Sequence, residues 1–423
     1  MTSPSIQELL SSTPLDLNPY EELYRHFHAH PELSHLELET ASLITSHLED
    51  LNAFEIHTSI GGGHGLAAVL RNGPGQTILL RADIDALPVQ EATGLPYASS
   101  KKMVDVNGVE QYVMHACGHD MHITCLLACA FFLSSNKSSW SGTLILVFQP
   151  EEERGTGAQA MVDGGLYDLV PIPDFVLGQH VTSLPAGVVG SKKGTIMAAA
   201  DSFKIVLYGR GGHGSMPHMT IDPVMMATNL IQRLQGIVSR ETDPSDMAVV
   251  TVGSLVVGKT ENIISDRAEI GLDVRSVREE TRNKILASVR RMVKAEFIAS
   301  GATKEPEITQ TRTFPTTEND EGMAGTLAKA FEDHFGKRFD ADTPRINFSE
   351  DVSILASSQG KPSLFWFFGG TDTALYEKAK KEGKVYEYVP GNHSPFFAPV
   401  IQPTLKTGYE ALCVAALTFL GSN

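Results

Sequence analysis

The chain has 423 residues, 42% of them hydrophobic and 20% charged, the composition of an ordinary globular protein with room for two hydrophobic cores. Lysine and arginine number 34 against 50 aspartates and glutamates, a formal net charge of -16, which argues against nucleic acid or an anionic membrane as a partner. Four cysteines, Cys117, Cys125, Cys129 and Cys413, are too few and too unevenly placed for a disulfide framework.

Residues 1–10 lack a basic stretch followed by an apolar core, so no secretory leader is expected. No apolar run reaches the length of a membrane span, and the cytoplasm is the expected compartment. Between residues 19 and 50, Leu23, Phe27, Leu33, Leu36, Ile44 and Leu48 predict helical segments interrupted near Pro31. Apolar runs at 66–70, 77–81, 143–148 and 175–177 predict strands; one helix follows Asp120 and another covers 157–164. Strands alternating with helices predict an α/β core with a mostly parallel central sheet, whose ligands gather at the carboxyl ends of the strands.

From about residue 195 the texture changes. Strand patterns at 202–207, 248–257, 268–275 and 307–311 interleave with helix patterns at 223–240 and 279–298. The order βαββαβ is the split βαβ, ferredoxin-like arrangement. It is self-contained, with its ends near each other, so it reads as an insertion. The expected organisation is a first catalytic part at 1–194, an inserted domain at 195–312 and a second catalytic part at 313–423.

The densest chemistry lies in Met114-His115-Ala116-Cys117-Gly118-His119-Asp120-Met121-His122, ahead of the apolar stretch 123–133. Thiolate, imidazole and carboxylate are the ligands of zinc and related ions, and Gly118 lets the backbone bend between two of them. The alternative is a buried structural cysteine beside surface histidines. Strand 143–148 runs into Gln149-Pro150-Glu151-Glu152-Glu153-Arg154, placing acids at a sheet rim where one can bind metal while its neighbour acts as a base. These glutamates equally suit a solvated helix start. Gln179-His180-Val181 and Gly391-Asn392-His393-Ser394 add further imidazoles. Cys117, His119, a glutamate, His180 and His393 make five ligands, too many for one open catalytic ion and enough for two.

The ensemble RHFHAHPELS (25–34), LLRADIDALPVQE (79–91), MHACGHDMH (114–122), FQPEEERGTGA (148–158), GRGGHGSMPH (209–218), ENIISDRAEIGLDVRS (261–276) and GNHSPFF (391–397) resembles the aminoacylase and carboxypeptidase family of two-metal hydrolases. The branch it is most similar to is that of the auxin-amino-acid amidohydrolases and hippurate hydrolases. The resemblance implies a metallopeptidase-like catalytic domain with an inserted lid or dimerisation domain. It makes Cys117 the ligand shared by two divalent ions, with His119 and Glu153 on one and His180 and His393 on the other. Glu152 becomes the general base, although a register one residue away remains open among the three glutamates. Asp85 becomes an orienting residue behind a ligand, while Asp83 stands where the wider family has another ligand. His213 is implied to stabilise the oxyanion, often across a dimer interface, and Asn262 and Arg275 to hold the substrate's polar groups. Zinc is the first expectation for the metal, with manganese or cobalt as alternatives.

The implied activity is hydrolysis of the amide bond of an N-acyl amino acid by a homodimeric enzyme acting on a small molecule. A dipeptidase or carboxypeptidase of the same family is the close rival. A cysteine hydrolase with Cys117 as nucleophile and a noncatalytic metal-binding scaffold are the rivals of other classes. Phe203, Met216, Met219, Met225 and residues 365–368 are candidates for an apolar acyl pocket, or for core.

Overall fold

Four apolar runs lie side by side as parallel strands in a computed structural model that describes residues 5–421. The first four residues of the leader reading fall outside that range. Gly142–Gln149, Thr77–Asp83, Phe175–Pro185 and Ser363–Thr371 are neighbours in that order. Gly142–Gln149 and Ser363–Thr371 have unbroken apolar interiors because both faces are covered, whereas Arg81 lies within Thr77–Asp83 and Gln179 and His180 within Phe175–Pro185. Gly65–Asn72 and Glu55–Ile60 extend the sheet antiparallel on one side, and Val189–Gly190 with Phe339–Asp340 bring it to eight strands on the other. The fold is therefore α/β with a mostly parallel sheet centre.

Leu80, Leu146, Leu177 and Trp366 share one core with the surrounding helices. The helix His119–Ser135 is buried along almost its whole length and packs against Ile401–Phe419 and the strand Thr77–Asp83. A helix apolar on all sides belongs inside a core, and cutting Leu146 to Ala there would cost about 2–5 kcal/mol. Phe365, Trp366, Phe367 and Phe368 are all strand interior. They therefore form core rather than the wall of an acyl pocket.

The strand pattern at 175–177 stops short. The strand runs on to Pro185 because its backbone pairs with Ser363–Thr371, with Gln179 opposite Trp366 and His180 opposite Phe367. His180 thus sits within a strand rather than after one. Its neighbour in sequence, Gln179, accepts the Trp366 indole N–H at 3.0 Å.

The chain divides into two compact units. The first comprises the residues up to Ile196, Glu318–Pro344 and the chain from Asp351 onward; the second comprises Met197–Thr317 and Arg345–Glu350. The second contains a four-stranded antiparallel sheet in the order Ala248–Val257, Arg267–Ser276, Ala199–Tyr208, Glu307–Phe314. The helix Pro223–Gly236 follows the strand Ala199–Tyr208, and Glu279–Ala299 follows Arg267–Ser276. Ala199–Tyr208 and Glu307–Phe314, the first and last of these strands in the chain, are neighbours, with Ala200 opposite Phe314. Phe203, Ile205, Leu230, Leu234, Ile270 and Leu272 fill the core of this unit. Beside that core Asp201, 1% exposed, accepts from the Arg282 guanidinium at 2.7 and 2.8 Å, and from Gln310 and Thr313.

Candidate metal centre

A left-handed glycine starts the site. Gly118 has φ +84 at the start of His119–Ser135, and a Cβ there would lie 2.4 Å from Val181 Cγ1. Only glycine satisfies both the φ and the approach. The turn it makes directs Cys117 and His119 to one place: Cys117 Sγ lies 3.5 Å from His180 Nε2, and His119 Nε2 lies 3.9 Å from Glu153 Oε1 and 4.0 Å from Glu152 Oε2.

The acidic turn is tight for a related reason. After Pro150 the chain doubles back so closely that a Cβ on Gly157 would meet the Pro150 carbonyl oxygen at 1.7 Å. Glu151 takes φ +58, a conformation that non-glycine residues adopt at a cost of about 1–3 kcal/mol. Its carboxylate turns to His35 at 2.6 Å and to the Thr156 hydroxyl at 3.0 Å, and its N–H donates to Glu37. Glu152 and Glu153 turn the other way and are buried. Glu153 Oε2 lies 3.4 Å from His393 Nε2, so this carboxylate faces His119 with one oxygen and His393 with the other.

The imidazoles are oriented by what their remaining nitrogens hold. His119 Nδ1 donates to the Asp85 carbonyl at 2.8 Å and lies 3.2 Å from Asp85 Oδ1, which leaves Nε2 pointing into the cluster. His180 Nδ1 donates to the Val181 carbonyl at 2.7 Å, leaving its Nε2 toward Cys117. Burial, reinforced by His122, holds His180 well below the usual imidazole range. For His119, burial opposes the charge, yet Asp83 and Asp85 outweigh it and hold the ring up at about 10. Burial and the neighbouring Glu153 and Glu152 push the Cys117 thiol well above its ordinary value. A cation amid these carboxylates would reverse that preference and favour the thiolate.

Metal fits these residues. His119 Nε2 and Glu153 Oε1 are buried and have no hydrogen-bond partner, a costly state for polar atoms that a bound cation relieves. The ligand atoms of Cys117, Glu153 and His393 lie within 4.8 Å of one another, as do those of His119, Glu152 and Glu153. Asp85 stands behind them, 1% exposed, accepting at Oδ2 from the Ser34 hydroxyl at 2.7 Å and the Glu153 N–H at 3.0 Å.

Sequence reasoning left one part unassigned. Asp83 and His122 form a further close group with His119 and His180. Both are already engaged: Asp83 accepts from Arg81 at 2.6 Å and from His122 Nδ1 at 2.5 Å, while His122 Nε2 accepts the Val181 N–H at 2.8 Å. The available signal was the i, i+3 spacing of His119 and His122, which stacks the two rings on one helix face with centroids 5.5 Å apart. Asn392 was also missed. Its amide donates to the carbonyls of Cys117 and Val181, each at 3.1 Å, and lies 3.7 Å from Cys117 Sγ.

His213, Asn262 and Arg275 belong to the second unit. His213 pairs with Ile263 on a two-residue strand, and the Asn262 carbonyl accepts the Gly214 N–H at 2.8 Å, so His213 and Asn262 share one exposed turn. His213 Nδ1 accepts from the Ser215 N–H at 3.1 Å. Arg275 stands apart from them, holding Asp273 and Ser349 at 2.8 Å each. Phe203 is core, whereas Met216, Met219 and Met225 are exposed.

Known proteins resemble the chain along most of its length. The model of peptidase family M20/M25/M40 matches residues 79–387. Hippurate hydrolase of Campylobacter jejuni is 40% identical over 77% of this chain and 81% of its own length. Thermostable carboxypeptidase 1 of Saccharolobus solfataricus is 35% identical over 94% of each chain, and IAA-amino acid hydrolase ILR1-like 5 of Arabidopsis thaliana is 32% identical over 94% of this chain and 85% of that one. A Bacillus subtilis structure described as a dinuclear metal binding peptidase from the M20 family superposes with a TM-score of 0.70 at 28% identity, covering 94% of this chain and 97% of that one. Given that match, these relatives and a buried cluster fit for metal, the chain belongs to peptidase family M20/M25/M40 and is a hydrolase.

Proposed function

We propose that the chain is a metal-dependent amidohydrolase that cleaves the amide bond of N-acyl amino acids. The observation that carries this reading is Glu152 beside a Glu153 oxygen and a His119 nitrogen that have no hydrogen-bond partner, all buried in one cluster. Cys117, His119, Glu153, His180 and His393 would hold two divalent ions, zinc first, with manganese or cobalt as alternatives. The ions would supply Lewis-acid polarisation of the amide carbonyl and a water whose pKa falls toward about 7. Glu152 takes the proton from that water at its carboxylate and delivers it to the leaving nitrogen. Asp85 keeps the His119 ring in the tautomer that presents Nε2. The turning of Glu151 toward His35 supports Glu152 and Glu153, rather than Glu151 and Glu152, as the working pair.

His213 is assigned to the developing oxyanion, and Asn262 and Arg275 to the substrate's polar groups, on the family resemblance. The second unit is proposed as a lid and dimerisation domain of a homodimer on the same ground. No helix among the described residues is long and apolar enough to cross a membrane. All four cysteines are free and buried, in keeping with a reducing compartment, and the cytoplasm is the proposed location. The named activities of the hippurate and IAA-amino acid hydrolases favour an N-acyl amino acid over a peptide. The carboxypeptidase relative makes a peptide the alternative.

The test is hydrolysis of a mixed panel of N-acyl amino acids and dipeptides, read by mass spectrometry, in chelator and after zinc, manganese or cobalt is restored. Cleavage of the acyl amino acids that vanishes with chelator and returns with metal supports the proposal. Cleavage that survives chelator would turn the reading to Cys117 as nucleophile, and cleavage of dipeptides alone would turn it to a peptidase.

A further inference from the structure

Beside the ligand turn lies a group of buried charges that the hydrolysis does not use. His28, in the last turn of Asn18–Ala29, is fully buried. Its Nδ1 lies 2.6 Å from Asp120 Oδ2 and its Nε2 lies 3.0 Å from Glu91 Oε1, and neither partner's side chain is exposed. Carboxylate oxygens only accept, so a ring held between two of them carries a proton on each nitrogen. Tyr24 and Tyr97 enclose the imidazolium, their ring centroids 5.6 and 5.3 Å from its own. Two carboxylates and a cation taken out of water cost several kcal/mol of desolvation, and well-packed apolar residues often serve stability as well or better. Stability alone is therefore a poor account of this triad.

What the triad joins is more telling. Asp120 directly follows His119, and its Oδ1 and backbone carbonyl accept from Met121 N–H and the Thr124 hydroxyl, so it is fixed to the first turn of His119–Ser135. Glu91 lies on the segment that leaves Thr77–Asp83 through Asp85, and its Oε2 accepts the Ser99 N–H at 2.6 Å. The next residue, Ala92, donates its N–H to the Pro395 carbonyl at 2.8 Å, two residues beyond His393. One imidazolium thus connects the segments that carry Cys117 and His119, Asp85, and His393.

We infer that His28 is a positioning residue of the metal centre, and that the Glu91–His28–Asp120 bridge sets the Cys117–His119 turn against the segments bearing Asp85 and His393. Metal ligands must meet at distances held to within a few tenths of an ångström, and small displacements of a supporting segment are felt as lost affinity. The inference rests on the metal-centre reading above.

The experiment compares the full chain with His28→Gln and Glu91→Gln. The second substitution keeps size and an acceptor for His28 while removing a charge whose hydrogen bonds go to His28, Thr93 and Ser99 rather than to a proposed ligand. Zinc affinity is measured by competition with a chromogenic chelator, the Tm is taken with chelator and with zinc, and the visible absorption of the cobalt-loaded protein is recorded. A positioning role predicts zinc affinity about 10–100-fold weaker, a smaller rise of Tm on adding zinc and altered cobalt bands. A merely structural role lowers both Tm values alike and leaves zinc affinity and the cobalt bands unchanged, which would overturn the inference. If His28→Gln does not fold, Glu91→Gln decides by the same readings. An unaltered chain that binds none of these metals would instead sink the metal-centre reading, and this inference with it.

Discussion

The two units hold their candidate chemistry in opposite ways. In the first, Cys117, His119, Glu152, Glu153 and His180 are buried, and the ring orientations are set by second partners such as Asp85 and the Val181 carbonyl. In the second, His213 and Asn262 lie exposed on a short turn, while one buried charge of that unit, Asp201, lies beside its own core. Burial raises the energy of every unmatched charge, so a cluster that must bind a cation strongly is built inside. A group that only has to meet a substrate can stay at the surface and costs the fold little. Substitutions in the first unit should accordingly alter chemistry or metal binding, and those at the exposed turn of the second should alter kinetics alone.

The largest effect is expected at the base. Glu152→Gln keeps the volume and removes the proton acceptor, and should lower kcat about 10³-fold or more with metal content unchanged, as steady-state kinetics and metal analysis would show. Full activity in this variant would move the base elsewhere. Next is Asp201→Asn, which breaks the pair with Arg282 and should cost the second unit about 3–5 kcal/mol in denaturant unfolding. Zinc affinity should stay the same, since no residue of the proposed ligand set is touched. If that affinity falls with the substitution, the separation of roles between the units fails. His213→Ala should reduce kcat about 10²-fold while Tm and metal content hold. An unchanged kcat would remove His213 from the mechanism. The smallest effect belongs to Arg275→Ala. Its guanidinium is shared with Asp273 and Ser349, so a rise of KM by about tenfold with little change in kcat is expected. A comparable fall in kcat would place Arg275 with the oxyanion group instead.

Much of this was legible in the linear chain. Apolar runs marked three of the four parallel strands, and pattern marked the βαββαβ order, because a strand buried on both faces is mostly apolar and an amphipathic helix repeats every three to four residues. Cys117, Gly118 and His119 suggested a candidate ligand turn because their chemistry and flexibility lie within three residues. The strand through His180 was cut short because Gln179 and His180 are polar. Only pairing with Ser363–Thr371, nearly two hundred residues away, explains why polar side chains continue it. Phe365 to Phe368 carried no sign of whether they faced substrate or core until the sheet placed them in the middle of the sheet.

The sequence by itself determined the fold class, the family and the residue types at the site, since each depends on local pattern or on motifs held in order. Tertiary structure alone decided which glutamates face His119, which nitrogens of the imidazoles remain open, and that His28 lies between Glu91 and Asp120. Those facts arise from contacts between segments distant in the chain. Their energies depend on burial and on hydrogen-bond partners that no local spacing encodes.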